Sequence, residues 1–148
     1  MFPFEISAAE EQVIRTVDPD STDPTRVHAA VMHLAEGTDA AARREFRLFR
    51  AHQYLRKGVS VVHGRALEPD QIRELARGGV GFVWSPHSNF ILYGKTADVL
   101  RALDAGMTVA IAPDWSPTGS AGMIEELGVA YRYLWSAIIP ESPNAGEP

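Results

Sequence analysis

Short apolar runs alternate along the chain with longer amphipathic stretches. Val27 to Leu34, Val59 to His63, Val80 to Trp84 and Met107 to Ala112 read as strands. They are β-branched, aromatic or otherwise apolar almost throughout, the pattern of strands buried on both faces of a parallel sheet. Between them the period lengthens to that of a helix. Ala40 to Leu55 follows Thr38-Asp39 and is closed by Lys57-Gly58. Short oxygen-bearing side chains start helices and glycine ends them. Glu68-Pro69-Asp70 opens a second helix running through Ala76, Thr96 to Leu103 reads as a third and Met123 to Trp135 as a fourth. A further helix is expected over residues 5–17, with Ser7 as its cap. Asp18 to Thr25 reads as a loop. Pro140 to Pro148 carries three of the ten prolines and is expected to be a disordered tail.

The order is therefore β-α four times over. His33, His63, Ser85 and Asp114 mark the strand ends, separated by 30, 22 and 29 residues, close to the roughly 30 residues of a βα repeat. Short helical crossovers imply a parallel sheet. Four such units make either a small open sheet or half of a (β/α)₈ barrel, which takes about 250 residues when complete. The pattern does not choose between the two.

Composition narrows the function classes. The chain has 148 residues, 45% of them hydrophobic, enough for one globular domain with a real core. Its formal net charge is −5, with no basic stripe for a nucleic-acid backbone or an anionic membrane. There are no cysteines, which excludes disulfides, cysteine zinc sites and thiol nucleophiles and is compatible with a reducing cytoplasm. No run approaches the ~18 apolar residues of a membrane span. Met1-Phe2-Pro3-Phe4-Glu5 lacks the basic and apolar regions of a signal peptide, so a cytoplasmic location is expected.

The candidate chemistry sits at the strand ends. His33, His63 and Asp114 share that address, and parallel strands set such ends side by side. Two imidazoles and a carboxylate suit a catalytic zinc or similar divalent ion with a position left for water; such an ion makes hydroxide available at neutral pH. Taken singly, each has a plainer reading, a hydrogen-bonded structural histidine or a helix-capping acid. Glu36, three residues after His33, is placed either to move a proton in the same pocket or to be a solvated loop acid. Ser85-Pro86-His87-Ser88-Asn89 and Tyr93-Gly94-Lys95 offer hydrogen-bonding groups for a polar substrate, or ordinary turn chemistry. Trp84, Tyr93 and Trp115 line a pocket or belong to the core. His28, mid-strand, and His52, within a helix, look structural. Gly78-Gly79-Val80-Gly81 precedes a strand instead of following one, so it is not a dinucleotide loop, and an open-sheet nucleotide binder is disfavoured.

Four motifs occur in order: His-Leu-Ala-Glu-Gly (33–37), Val-Val-His-Gly (61–64), Ser-Pro-His-Ser-Asn-Phe-Ile-Leu-Tyr-Gly (85–94) and Pro-Asp-Trp-Ser-Pro-Thr-Gly-Ser (113–120). Together they resemble the later half of the amidohydrolase superfamily barrel, especially its deaminase and chlorohydrolase-like branch. The resemblance covers about residues 27 to 130. It implies an α/β fold of four successive βα units like strands 5–8 of a (β/α)₈ TIM barrel. It divides the chain into an N-terminal helix and loop (1–26), a partial barrel (27–139) and the tail (140–148). It implies zinc, or else iron or manganese, and hydrolysis at a C–N carbon of a small polar or heterocyclic substrate. In its terms His33, His63 and Asp114 are metal ligands and Glu36 a proton shuttle. His63 and Asp114 also position and activate the attacking water, and Ser88, Asn89 and Trp115 lie at the substrate end.

The family opens its barrel with a His-x-His pair, and this chain has none. A fragment with activity weak or absent on its own is thus expected, with self-association, or pairing with an N-terminal half-barrel chain, to cover its open edges. The alternative function is a non-catalytic α/β remnant acting as a binding or interaction module.

Overall fold

The computed structural model describes residues 7–138. Its elements are α1 (Ala8–Arg15), β1 (Ala30–Leu34), α2 (Ala40–Ala51), β2 (Val59–His63), α3 (Pro69–Arg77), β3 (Gly81–Trp84), α4 (Pro86–Tyr93), α5 (Val99–Asp104), β4 (Val109–Ile111) and α6 (Met123–Ile138). The four strands form one parallel sheet in the order β1-β2-β3-β4. Each strand lies beside the next in the chain. With right-handed crossovers, that order puts every connecting helix on the same face of the sheet, as in a barrel.

Burial follows from this. On one face Leu34, Val61, Phe82 and Trp84 are buried against Phe46, Phe49, Leu75 and Val99 of the helices. On the other face Val31 is 65% exposed, His33 and Ala110 are exposed, and Ser60, Val62 and Val83 are half-buried. This second face is largely apolar and uncovered. Among the described residues, the outer edges of β1 and β4 have no partner strand. α6 is exposed in the same way: Ile124 (90% exposed), Leu127, Tyr131, Trp135 and Ile138 all face solvent, at the spacing of one helical stripe.

Local signals explain most element ends. Ser7 and Glu10 form a capping box at α1, and Asp39 accepts from Ala41 N and Ala42 N at α2. Several boundaries differ from expectation. β1 begins at Ala30, not Val27, because the Val27 carbonyl accepts from Asp18 N while Ala30 N bonds to Gly58 O; His28 therefore lies outside the strand and is exposed. α2 stops at Ala51, since Gln53 takes a left-handed φ of 63°, and α5 begins only at Val99, capped by Asp98. The stretch Pro86–Tyr93, where no helix was expected, is a helix with proline in its first turn, a position where the missing N–H costs nothing. Residues 5 and 6 of the expected first helix and the expected tail lie outside the described residues. No helix among the described residues is long and apolar enough to cross a membrane.

Candidate metal centre

β1 ends in His33-Leu34 and β2 ends at His63. The parallel register pairs His33 with Val62 and Leu34 with His63, so the two imidazoles arrive at the same rim. Strict alternation would send the His63 side chain to the helix-covered face with Val61. The backbone prevents this: His63 has φ 68° and Gly64 φ 57°. The left-handed turn swings the His63 ring to within 5.0 Å of the His33 ring, centroid to centroid. A Cβ at Gly64 would lie 2.5 Å from Phe82 Cε2, so only glycine fits there. A non-glycine residue in this conformation is uncommon and costs on the order of 1–2 kcal/mol; such outliers gather at functional positions.

Two carboxylates face the buried imidazole. Glu36 Oε1 is 3.6 Å and Asp114 Oδ2 3.7 Å from His63 Nε2. One ligand atom each from His33, Glu36 and His63 lie within 4.8 Å of one another. Glu36 thus completes the three-donor group expected to include Asp114. β4 ends at Ile111, which leaves Asp114 three residues out in the following loop. There Trp115 N donates to Asp114 Oδ1 at 2.8 Å, and the loop folds back so tightly that a Cβ on Gly119 would lie 2.6 Å from the Asp114 carbonyl oxygen.

The donor count decides what this arrangement suits. His63 Nδ1 lies 3.1 Å from Asn89 Oδ1. Its Nε2 is buried and has no hydrogen-bond partner. A buried imidazole nitrogen without a hydrogen-bond partner and two carboxylates therefore converge, which is costly without a cation or a shared proton. Imidazole nitrogens and carboxylate oxygens are the donor set of zinc and its neighbours. The residues fit a divalent metal.

Neighbouring groups hold the rim in shape. Tyr93 Oη donates to Glu36 Oε1 at 2.9 Å. Burial and the adjacent Glu36 carboxylate push the Tyr93 phenol well above its usual range, so it stays protonated and keeps donating. Glu45, on the apolar face of α2 with Ala42 and Phe49, accepts from Ala35 N at 2.7 Å. It braces the left-handed Ala35 (φ 52°) between His33 and Glu36. Sequence reasoning missed Glu45, although a glutamate at a core-facing helical position was its signal.

Burial raises the Glu45 pKa, opposed by the Ala35 N–H. A carboxyl raised in the folded state stabilises below its unfolded pKa, and that contribution is lost as pH rises through the folded value. Glu45→Gln retains an acceptor for Ala35 N. Its melting temperature is expected to exceed the parent's at about pH 8, with the gap closing toward pH 4. A gap independent of pH would show that Glu45 is not the titrating group.

Of the residues expected at the substrate end, Trp115 is 68% exposed beside Asp114. Ser88 is fully buried and donates to Ser85 O. Asn89 is fully buried as well, turned to His63. Both lie beneath the rim. His52 caps α2 and pairs with Glu11 at 3.0 Å. A separate buried group ties the upper loops together: Glu126 of α6 accepts from His87 N at 3.0 Å and from the Ser120 hydroxyl, while His87 Nδ1 lies 3.1 Å from Ser120 Oγ.

No protein-family model matches the chain. It is 40% identical over 87 residues to the imidazolonepropionase of Geobacillus kaustophilus, covering 59% of this chain and 20% of that protein. It is 38% identical over 68 residues to the 5-methylthioadenosine/S-adenosylhomocysteine deaminase of Haloquadratum walsbyi, covering 45% of this chain and 15% of that one. The chain thus spans a fifth or less of the curated relatives it matches. Its fold superposes on zinc-complexed atrazine chlorohydrolase TrzN from Arthrobacter aurescens with a TM-score of 0.62 at 23% identity, over 78% of this chain and 26% of that one. The repeated βα units and this superposition define a partial (β/α) barrel. These likenesses indicate the amidohydrolase superfamily, and their partial coverage fits one part of its barrel.

Proposed function

We propose that this chain is the metal-binding later half of an amidohydrolase barrel, which hydrolyses a C–N carbon of a small polar or heterocyclic substrate once the rest of the barrel is in place. The observation that carries the reading is the buried, unpartnered His63 Nε2 facing Glu36 and Asp114. His33, His63 and Glu36 would hold a divalent ion, zinc first, with Asp114 alongside. Such an ion supplies Lewis acidity and lowers the pKa of water it holds. Asp114 and Glu36 are the bases within reach of the pocket. Glu36, steered by Tyr93, is the group to carry a proton to the leaving nitrogen. Trp115, exposed on the Asp114 loop, is placed to contact a flat ring. The relatives' names, a methylthioadenosine deaminase and an atrazine chlorohydrolase, suit a heterocyclic substrate.

Zinc titration by calorimetry tests the metal half of the reading. One ion per chain, lost in a His33→Ala/Asp114→Ala variant, is expected; no binding by the parent would overturn it for this chain. A deamination assay after addition of a first-half barrel chain tests the catalytic half, and the non-catalytic remnant predicts metal without turnover.

The uncovered sheet face and the α6 stripe belong to the same proposal. A helix that follows a strand packs over the seam with the next strand, and the seam beyond β4 has no second strand among the described residues. A four-stranded complement, a second copy or a first-half chain, would pair both edges and cover Val31, Tyr131 and Trp135. Sedimentation at tens of micromolar should therefore show self-association of the isolated chain, and a stable monomer would count against closure by a second copy.

A further inference from the structure

We infer that Thr96 and Trp84, neither of which reaches the metal pocket, are positioning residues that fix the His63 imidazole for metal binding. The inference rests on the metal reading for its affinity readout alone.

The chain of contacts is continuous. Trp84 Nε1–H donates to Thr96 Oγ1 at 2.6 Å. An indole N–H can only donate, so it occupies one lone pair of that oxygen and leaves the second for another donor. Asn89 Nδ2 donates to the same oxygen at 3.3 Å. With its amide turned that way, Asn89 presents Oδ1 to His63 Nδ1 at 3.1 Å, and a carbonyl oxygen can only accept. The His63 proton therefore resides on Nδ1, and the lone pair on Nε2, the buried atom that faces Glu36 and Asp114. A histidine ligand needs that tautomer, and the groups that set it govern metal affinity from outside the ligand shell.

The parts come from separate elements. Trp84 ends β3, Asn89 lies in α4 and Thr96 in the α4–α5 connection. Trp84 and Asn89 are fully buried, so water does not compete for their polar atoms. The connection after α4, which touches no ligand, thereby sets the state of a ring on β2.

The test compares Thr96→Val, which keeps shape and loses the hydroxyl, with Thr96→Ser, which keeps the hydroxyl. Nitrogen NMR of the metal-free chain at about pH 8 reads the His63 tautomer, and zinc titration reads affinity. The parent and Thr96→Ser should show Nδ1–H and bind zinc within a few-fold of each other. Thr96→Val should show a mixture with Nε2–H and bind zinc about 10–100-fold more weakly, the usual cost of losing such a supporting contact. An Nε2–H parent, or a Thr96→Val variant with unchanged tautomer and affinity, overturns the inference. If the parent binds no zinc, the metal reading falls while the tautomer comparison still decides the relay. Should Thr96→Val fail to fold, Trp84→Phe removes the indole N–H at the far end of the chain of contacts and is expected to shift the tautomer the same way; an unchanged tautomer there is equally fatal.

Discussion

His63→Ala and His63→Gly should lose zinc affinity together, by about a hundredfold or more, yet differ in stability. A structural zinc site is worth about 10–16 kcal/mol. Shared among four ligands, that is about 3 kcal/mol each, or a factor of at least a hundred in Kd. In the proposed site His63 is the group on which the others converge, since both Glu36 and Asp114 face its Nε2. The stability of the metal-free variants tests the backbone separately. At φ 68° an alanine bears the same left-handed strain as histidine, whereas glycine bears none. The glycine variant should be the more stable by about 1 kcal/mol, or ~2–4 °C in melting temperature. Retained zinc affinity in either variant would sink the site; an alanine variant that melts at or above the glycine variant would sink the strained turn.

The second large effect is expected at Glu126. Its carboxylate is fully buried and accepts from His87 N and the Ser120 hydroxyl, joining α6, the loop after β4 and the first turn of α4. Glu126→Ala leaves the half-buried His87 N–H without its acceptor and opens a cavity. Hydrogen bonds to charged groups are worth about 1.5–3 kcal/mol, and orphaning their partners costs as much again. A loss of about 3 kcal/mol, on the order of 10 °C in melting temperature, is expected. Glu126→Gln keeps one acceptor and should lose less than half of that. Equal losses in the two variants would overturn this, because glutamine keeps the packing, and would place the whole effect in the second carboxylate oxygen and its charge.

The scaffold was largely legible in the sequence because its determinants are local. Val59–His63 is a run of β-branched residues closed by glycine, and it is a strand over those same residues. α3 announced itself through Glu68-Pro69 and the α2 start through Asp39. α4 was not legible. Ser85-Pro86 reads as a stop, and only the packing of both sides of Pro86–Tyr93, which leaves Pro86, Ser88 and Asn89 buried, shows that the proline begins a helix there. At the site, the motifs brought out His33, Glu36, His63 and Asp114. They did not bring out how these divide the work: whether Glu36 or Asp114 joins the donor group depends on where β4 stops. Asn89 was expected at the substrate end on the family resemblance of the Ser-Pro-His-Ser-Asn motif. In the structure it lies against His63, a contact across 26 residues that no local pattern encodes. Thr96 and Glu45 act through nearer partners, Trp84 12 residues and Ala35 10 residues away, which are still outside any local pattern.

The sequential strand order also bears on how the chain comes to be folded. Each strand pairs with the one made just before it, so no pairing waits for a distant segment. Loop-closure entropy grows with the length spanned, and here every closure spans a single βα unit. Contact order is therefore low for a parallel sheet, the condition for rapid folding. During synthesis β1 and α2 can offer a docking edge to β2 as it emerges, and β2 to β3, so that the growing sheet is a template at every length.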